Sequence, residues 1–307
     1  MRALLSALGA FLGWLLWVLR VRRGVVMGNL RLAFPEKSDQ ERRAIGRAAL
    51  INVGRMAPAF LFASRLTPEE LERVLVYEPG KLERLVAATA SGKGAVVCTA
   101  HFGNFESLAA LHNLKGVPVT MIARPLKGGW FGRLWRGGRS RAGVQELIVE
   151  RGGTLQAAQA AMRKGRVLGY VIDQNMSARR AIFPTFFGVP AATAPTPAYL
   201  ALRGATVFFA LDVPLEDGRH RVVMEGPLQM ADTGDRDRDV LAFMQDLNDR
   251  LERWVRRYPE HWYWLHRRWK TRPPPGGAER RSRPRAAGPP RTSEGPAAPI
   301  DPSGSAG

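Results

Sequence analysis

Short apolar, β-favouring runs alternate with helical stretches through the middle of this 307-residue chain, and that alternation limits its possible folds most strongly. The apolar runs are 95–100, 117–123, 146–149 and 167–172, with helical patterns at 105–114 and 154–164 between them. Strands separated by helices favour parallel pairing, because a parallel neighbour requires a crossover connection. We therefore predict an α/β fold whose mixed, mostly parallel sheet is flanked by helices.

The segments on either side of this region follow helical or hairpin patterns. Residues 27–73 have apolar positions at helical spacing, and Thr67 is a candidate N-cap near their end. The runs 207–213 and 220–225, joined by L-E-D-G-R, predict an antiparallel hairpin at the edge of the sheet. A last long amphipathic helix is predicted at about 236–257.

The N-terminus is apolar and is followed by a cluster of positive charges. Residues 3–19 contain no charged side chain, and R-V-R-R follows directly. At about 1.5 Å per residue this segment spans roughly 25 Å, which is at the short limit for crossing a bilayer. A cleavable signal peptide has its charges before the apolar run, so we predict an uncleaved membrane anchor over 1–23, with the remainder in the cytoplasm. An amphipathic helix lying in one leaflet is the alternative.

Composition separates a body over 24–272 from a tail over 273–307. The tail contains P-P-P-G-G, G-P-P and S-G-S-A-G, and we predict that it is disordered, because it buries too little apolar surface to offset ordering. The chain has a net charge of +19; the four arginines of 1–23 and the net three positive charges of 272–307 leave +12 for residues 24–271. A basic body favours an anionic partner, such as nucleic acid, a membrane surface or a phosphate-bearing substrate.

The stretch A-V-V-C-T-A-H-F-G-N-F-E places two candidate catalytic side chains around one turn. His101 ends an apolar run, and Glu106 follows five residues later, where a helix should start. A histidine beside a carboxylate can remove a proton from a hydroxyl while the carboxylate stabilises the imidazolium. A structural histidine with a surface glutamate is the alternative at this point.

Other polar side chains follow the neighbouring predicted strands. Arg124 follows the next run, Asp173 follows a later one, and Arg139 and Arg141 lie in a glycine-flanked arginine cluster. In a parallel sheet the ends at His101, Arg124 and Asp173 share one edge, where such folds bind ligands. Taken singly, these arginines could be solvated surface residues, and Asp173 could cap a turn.

The remaining candidate features are one cysteine, the glycine patterns and three phenylalanines. Cys98 precedes His101 by three residues, but its place within an apolar run indicates a buried small hydrophobe rather than a nucleophile. The glycine patterns fit neither a P-loop nor a full dinucleotide fingerprint, and no ligand set has zinc spacing, so we predict no metal and no cofactor. Phe183, Phe186 and Phe187 lie on a proline- and glycine-rich segment and could line an apolar groove or pack a loop.

With these motifs in order, the chain resembles the lipid A biosynthesis acyltransferases, the late lauroyl/myristoyl transferases of the bacterial inner membrane. The resemblance extends from the apolar N-terminus to about Lys270. Its matching elements are N-L-R-L-A-F-P-E at 29–36, H-F-G-N-F-E at 101–106, A-R-P-L-K at 123–127, G-R-S-R-A-G at 138–143, D-Q-N at 173–175, F-P-T-F-F-G-V-P-A-A-T at 183–193 and P-E-H-W-Y-W-L-H-R-R-W-K at 259–270.

The resemblance implies a glycerolphosphate-acyltransferase-like domain over 24–272 that moves an acyl chain from an acyl carrier protein thioester to a hydroxyl of a phosphorylated glycolipid. His101 would be the general base and Glu106 its partner. Arg139 matches the family's essential arginine, and Asp173 is its acidic counterpart. The implied location is the cytoplasmic face of the inner membrane, with no cofactor required.

The resemblance also implies four substrate-binding residues, Arg124, Asn104, Arg141 and Phe187. Phe105 stands where the family commonly has tryptophan, and related members acylate phosphatidylinositol mannosides, so the acceptor stays open. Two other functions remain as alternatives. One is a membrane-bound hydrolase of lipid esters or thioesters. The other is a basic, non-catalytic binding protein. The apolar N-terminus and the ordered motifs disfavour the second alternative, and we predict no nucleic-acid partner.

Overall fold

A seven-stranded sheet with helices on both faces organises the computed structural model, which describes residues 2–92, 94–123, 129–148, 154–215, 217 and 219–274. The strands of the described residues are β1 Leu75–Tyr77, β2 Ala95–Thr99, β3 Val119–Ala123, β4 Gln145–Ile148, β5 Val167–Val171, β6 Thr185–Phe186, β7 Val189–Pro190, β8 Thr206–Pro214 and β9 His220–Leu228. The sheet order is β1-β9-β8-β2-β5-β3-β4, and every neighbouring pair is parallel except β8 with β9. The predicted α/β class with a mostly parallel sheet is confirmed.

The helices between and around these strands pack against the sheet. They are α1 Arg2–Val18, α2 Arg23–Ala33, α3 Asp39–Ala63, α4 Pro68–Val74, α5 Lys81–Ala90, α6 Phe105–Leu114, α7 Trp130–Arg141, α8 Thr154–Arg163, α9 Thr196–Ala201 and α10 Arg236–Arg257. The predicted helical region 27–73 is thus three helices. The last of them starts as predicted at Thr67, whose hydroxyl accepts the Glu70 N–H at 3.3 Å.

Strand β2 shows why the apolar runs are continuous rather than alternating. All five of its residues are buried. Val96 and Cys98 pack into the core on one face of the sheet, while Ala95 and Val97 pack into the core on the other. A strand covered on both faces must be apolar at every position, which is the pattern that the sequence showed.

The predicted hairpin is correct in pairing but wrong in position. β8 and β9 are antiparallel, but β8 also pairs with β2 and β9 pairs with β1, so the pair lies inside the sheet. The edge is formed by β1, a three-residue strand that directly follows α4 and is too short to show a period of its own.

Helix α1 lies against α3 through glycines. A Cβ on Gly54 would lie 2.0 Å from the carbonyl oxygen of Gly9, and one on Gly13 would lie 2.2 Å from that of Leu50. In the described part of the chain, no single helix meets the length and apolarity needed to cross a membrane; α1 from Ala3 and α2 meet them together, but are bent by 88°. The predicted tail from 275 onwards lies outside the described residues.

Candidate active site

A tight turn after β2 fixes the position of His101. Gly103 has a φ of +55°, and a Cβ at this residue would lie 1.8 Å from the carbonyl oxygen of Asp212 in β8. The Asn104 N–H donates to the Asp212 carboxylate at 3.1 Å, and the Asn104 side-chain oxygen accepts the Ser107 N–H at 3.2 Å, which caps α6. The turn therefore packs against the backbone of β8, and only glycine fits where the two backbones approach most closely.

The carboxylate partner of His101 is Asp173, which follows the adjacent strand β5. Nδ1 of His101 lies 2.8 Å from Oδ1 of Asp173, and the His101 backbone N–H donates to Oδ2 at 3.0 Å. The indole N–H of Trp262 donates to the same Oδ2 at 2.8 Å. Because an ionised carboxylate only accepts, Nδ1 carries the hydrogen, and in the neutral ring Nε2 has the lone pair.

Nε2 is the ring nitrogen of His101 that contacts an exposed side chain. The His101 side chain is 18% exposed, whereas Asp173 is fully buried. The side-chain nitrogen of the exposed Gln174 lies 3.3 Å from Nε2. A substrate hydroxyl that replaces Gln174 as the neighbour of Nε2 would meet an unprotonated ring nitrogen.

The charges around His101 favour its protonated form. Burial alone would lower the pKa of His101, but the charge and hydrogen bond of Asp173, together with the charge of Glu106, hold it above its ordinary value of 6.5. Burial likewise opposes ionisation of Asp173, yet His101 and Trp262 help to hold the pKa of Asp173 well below its usual range. The aspartate is therefore a permanent anion beneath the ring.

Glu106 binds Arg139 instead of His101. Nε of Arg139 donates to one Glu106 oxygen at 2.8 Å, Nη2 donates to the other, and Nη1 donates to Glu146 at 2.7 Å. Both side chains of the Glu106–Arg139 pair are nearly buried. This corrects the predicted pairing, because β2 and β5 are neighbouring strands and their ends meet, whereas α6 directs Glu106 towards α7. Glu106 acts on His101 through its charge.

The aromatic-basic segment 259–270 is bonded to the backbone of this turn. The Tyr263 N–H donates to the His101 carbonyl at 2.9 Å, and the Gly103 N–H donates to the His261 carbonyl at the same distance. In the sequence this segment is one of the elements that match the family, and the sequence alone assigns it no role. In the structure these two hydrogen bonds hold the turn in place.

Three side chains of this segment support the site and were missed by sequence reasoning. Besides the Trp262 bond to Asp173, Nε2 of His266 lies 2.9 Å from the Asp173 carbonyl oxygen. Arg268 is almost fully buried and donates to the Ala192 carbonyl at 2.8 Å, and burial lowers the pKa of Arg268 to about 10. The signal that the sequence offered for these side chains was their place in the motif 259–270. Trp262 and Asp173 are 89 residues apart, so their spacing does not indicate a contact.

The residues predicted to bind substrate have different environments. Asn104 is 3% exposed and its amide is bonded at both ends, while Phe187 is 6% exposed and packs against Phe34 with ring centres 5.2 Å apart. Both lie in the folded core, and their contact with substrate stays a prediction. Arg141 is exposed at the last position of α7, and Arg124 lies outside the described residues.

The last two sequence predictions concern the Cys98 thiol and a possible metal site. Cys98 is buried in mid-strand, and burial raises the pKa of its thiol far above the ordinary value, as expected for an inert side chain. Within the described ranges, no group of three or more histidine, cysteine, aspartate or glutamate side chains is arranged as a metal site.

A mostly parallel α/β sheet that carries a buried carboxylate–histidine pair, with Nε2 outside that pair, has the parts of an enzyme that activates a hydroxyl or water. Residues 2–271 match the family model of the bacterial lipid A biosynthesis acyltransferases. The chain therefore belongs to this family and is an acyltransferase, which confirms the resemblance seen in the sequence.

Relatives differ in the lipid that their names give. The chain is 27% identical to the lipid A biosynthesis lauroyltransferase of Escherichia coli (strain K12), over 87% of this chain and 85% of that protein. It is 26% identical to the lipid A biosynthesis palmitoleoyltransferase of the same strain, over 83% and 81%. It is also 26% identical to the phosphatidylinositol mannoside acyltransferase of Mycobacterium tuberculosis (strain ATCC 25618 / H37Rv), over 67% and 62%.

Proposed function

We propose that this acyltransferase moves a fatty acyl chain from an acyl carrier protein thioester to a hydroxyl of a phosphorylated, lipid A-type glycolipid. The acceptor class is supported by the family and by the lauroyltransferase and palmitoleoyltransferase relatives. A phosphatidylinositol mannoside is the second candidate acceptor, supported by the mycobacterial relative. An acidic carrier protein and a phosphorylated lipid both complement a chain of net charge +19.

The observation that carries the proposal is the 2.8 Å contact between Nδ1 of His101 and Asp173, which leaves Nε2 as the ring nitrogen available to substrate. Nε2 takes the acceptor proton as the hydroxyl oxygen attacks the thioester carbonyl carbon and the carbonyl electrons move to oxygen. When the tetrahedral intermediate collapses, the C–S bond breaks, and the departing thiolate receives the proton from Nε2. Asp173 stabilises the imidazolium between these two steps.

The remaining polar groups have supporting roles in this reaction. The Glu106–Arg139 pair fixes the start of α6, and the charge of Glu106 helps to raise the pKa of His101, so we assign both as positioning residues. Gln174 has its amide nitrogen 3.3 Å from Nε2 and is placed to donate to the developing oxyanion once substrate is bound.

We further propose that the protein works at the cytoplasmic face of the inner membrane, attached through α1. One side of this helix is packed on α3 through glycines, so its outward side is available to lipid. The outward apolar side chains are Leu4, Leu5, Leu8, Phe11, Leu12, Trp14 and Val18. Because α1 is bound along its length to α3, attachment as part of the folded body is favoured over an independent span.

Purified protein should convert an acyl carrier protein thioester and a phosphorylated glycolipid into acylated lipid and free carrier thiol in equal amounts. Mass spectrometry of the lipid and a thiol assay measure the two products in one reaction. Thiol release that continues at the same rate without acylated lipid would contradict transfer and support hydrolysis. Replacing the acceptor by a phosphatidylinositol mannoside tests the second candidate.

A further inference from the structure

Four arginines line one cavity at the bend between α1 and α2. The cavity has a volume of about 460 Å³ and is lined by Arg20, Arg23, Gly24, Met27, Arg31 and Arg43. Of these four arginines, Arg31 forms a salt bridge with a described residue, Asp39, at 3.3 Å. One carboxylate against four guanidinium groups leaves a strongly positive cavity. Guanidinium forks match phosphate oxygens in charge and in geometry.

The backbone around the cavity is held in an unusual shape. Arg20 and Arg22 have φ values of +59° and +53°, in the left-handed region that non-glycine residues rarely adopt. The Arg23 guanidinium is stacked over the Trp17 ring at 4.5 Å. Strain of this kind persists where surrounding contacts over-determine it, and such positions cluster at functional sites. The turn therefore presets its arginines without a ligand.

The arginine cavity adjoins the end of α1, whose outward side is apolar. Arg20 directly follows the outward apolar face of α1, at the level where headgroups would begin if that face meets hydrocarbon. Arg22 belongs to the same turn; burial raises the pKa of Tyr263, and the charge of Arg22 opposes that rise. The Tyr263 ring lies 5.8 Å from the His101 ring, measured between centroids.

We propose that this arginine cavity binds the phosphate group of a lipid. The ligand chemistry has two possible sources, the headgroup of a bulk anionic phospholipid and the phosphate of the glycolipid acceptor. The acceptor source deepens the proposed function and rests on it, whereas the phospholipid source does not.

The first experiment measures binding to vesicles of phosphatidylcholine and to equimolar phosphatidylcholine–phosphatidylglycerol vesicles. Arg20→Gln/Arg43→Gln removes two exposed charges of the cavity and keeps the stacked Arg23. If the site takes bulk phospholipid, its affinity for the anionic vesicles falls about thirtyfold, since each arginine near an anionic surface contributes about fivefold. Arg84→Gln/Arg238→Gln removes the same charge from exposed positions on α5 and α10 and should change affinity less than about twofold.

The second experiment measures equilibrium binding of the phosphorylated glycolipid and its dephosphorylated form in uncharged micelles, without turnover. If the site takes the acceptor phosphate, the cavity variant loses the preference for the phosphorylated form, while the control variant keeps it. Arg20→Lys/Arg43→Lys should restore part of either effect by restoring charge. The proposal is overturned if the cavity variant changes neither measurement, or if the control variant loses as much. Because neither experiment requires catalysis, failure of the transfer reaction leaves this test intact.

Discussion

At the scale of single residues, the central feature is a histidine whose carboxylate partner comes from a different strand. Asp173 lies 72 residues from His101 in the sequence, so spacing within one motif could not reveal the contact. Glu106 was predicted as the partner because it is near in sequence, yet α6 directs it to Arg139. The sequence could predict which chemical groups collect at this edge of the sheet, but not how they pair.

Replacing Asp173 by asparagine should lower kcat by about 10⁴, because an amide donor opposite Nδ1 favours the tautomer whose Nε2 is already protonated. Trp262→Phe keeps the carboxylate and removes one hydrogen bond to it, so a smaller loss of about tenfold is expected. Steady-state kinetics of both variants tests this order. A kcat near the wild-type value for Asp173→Asn would show that the ring is not oriented by this residue.

The acid limb of the pH profile should respond to Glu106. The neutral ring is the active base, and the pKa of His101 is raised, so the limb of kcat/KM should lie above pH 6.5 in the wild type. Glu106→Gln removes a negative charge that raises this pKa, and the limb should therefore move to lower pH. Glu146→Gln removes the other carboxylate bound to Arg139 and is the matched control. An unchanged limb in Glu106→Gln would contradict the charge effect.

At the scale of elements, long periodic segments were predictable and short or non-local features were not. The helices at 105–114 and 236–257 have the predicted bounds, since ten or more residues give a clear period. The three-residue strand β1 has no such signal. The hairpin was placed at the edge because local pattern specifies pairing within the hairpin, while the neighbours of β8 and β9 are chosen by tertiary packing.

The turn between β2 and α6 should not tolerate a side chain at Gly103. Gly103→Ala brings a Cβ to 1.8 Å from the Asp212 carbonyl and requires a left-handed conformation, so a loss of about 2–4 kcal/mol in unfolding free energy is expected. Gly137→Ala in α7 meets no atom within 4 Å and should be neutral or stabilising by up to about 1 kcal/mol. Denaturant unfolding of both variants tests the contrast, and equal stabilities would contradict the close approach.

At the scale of the whole molecule, the body presents one apolar helix face beside a cluster of arginines. Composition predicted an apolar N-terminus and a basic body. It could not show that α1 is packed on α3, because that contact depends on glycines 41 or more residues apart in the chain. The two features together favour a protein that docks its folded body onto a membrane surface.

Membrane attachment should depend on the outward face of α1. Leu8→Ser/Leu12→Ser removes two side chains that are 53% and 50% exposed, and affinity for phospholipid vesicles should fall by about tenfold or more. Leu202→Ser/Leu241→Ser alters side chains of similar exposure on other elements and is the matched control. Vesicle co-sedimentation compares the two variants. Equal binding by both would contradict attachment through α1.

The central claim, that His101 is the base for acyl transfer, is tested most directly by single-turnover transfer with His101→Ala. The measurement follows acyl movement from the carrier protein thioester to the glycolipid, with vesicle binding and thermal unfolding measured on the same preparation. The proposed mechanism predicts a rate loss on the order of a thousandfold with binding and folding unchanged. A transfer rate close to that of the wild type would contradict it.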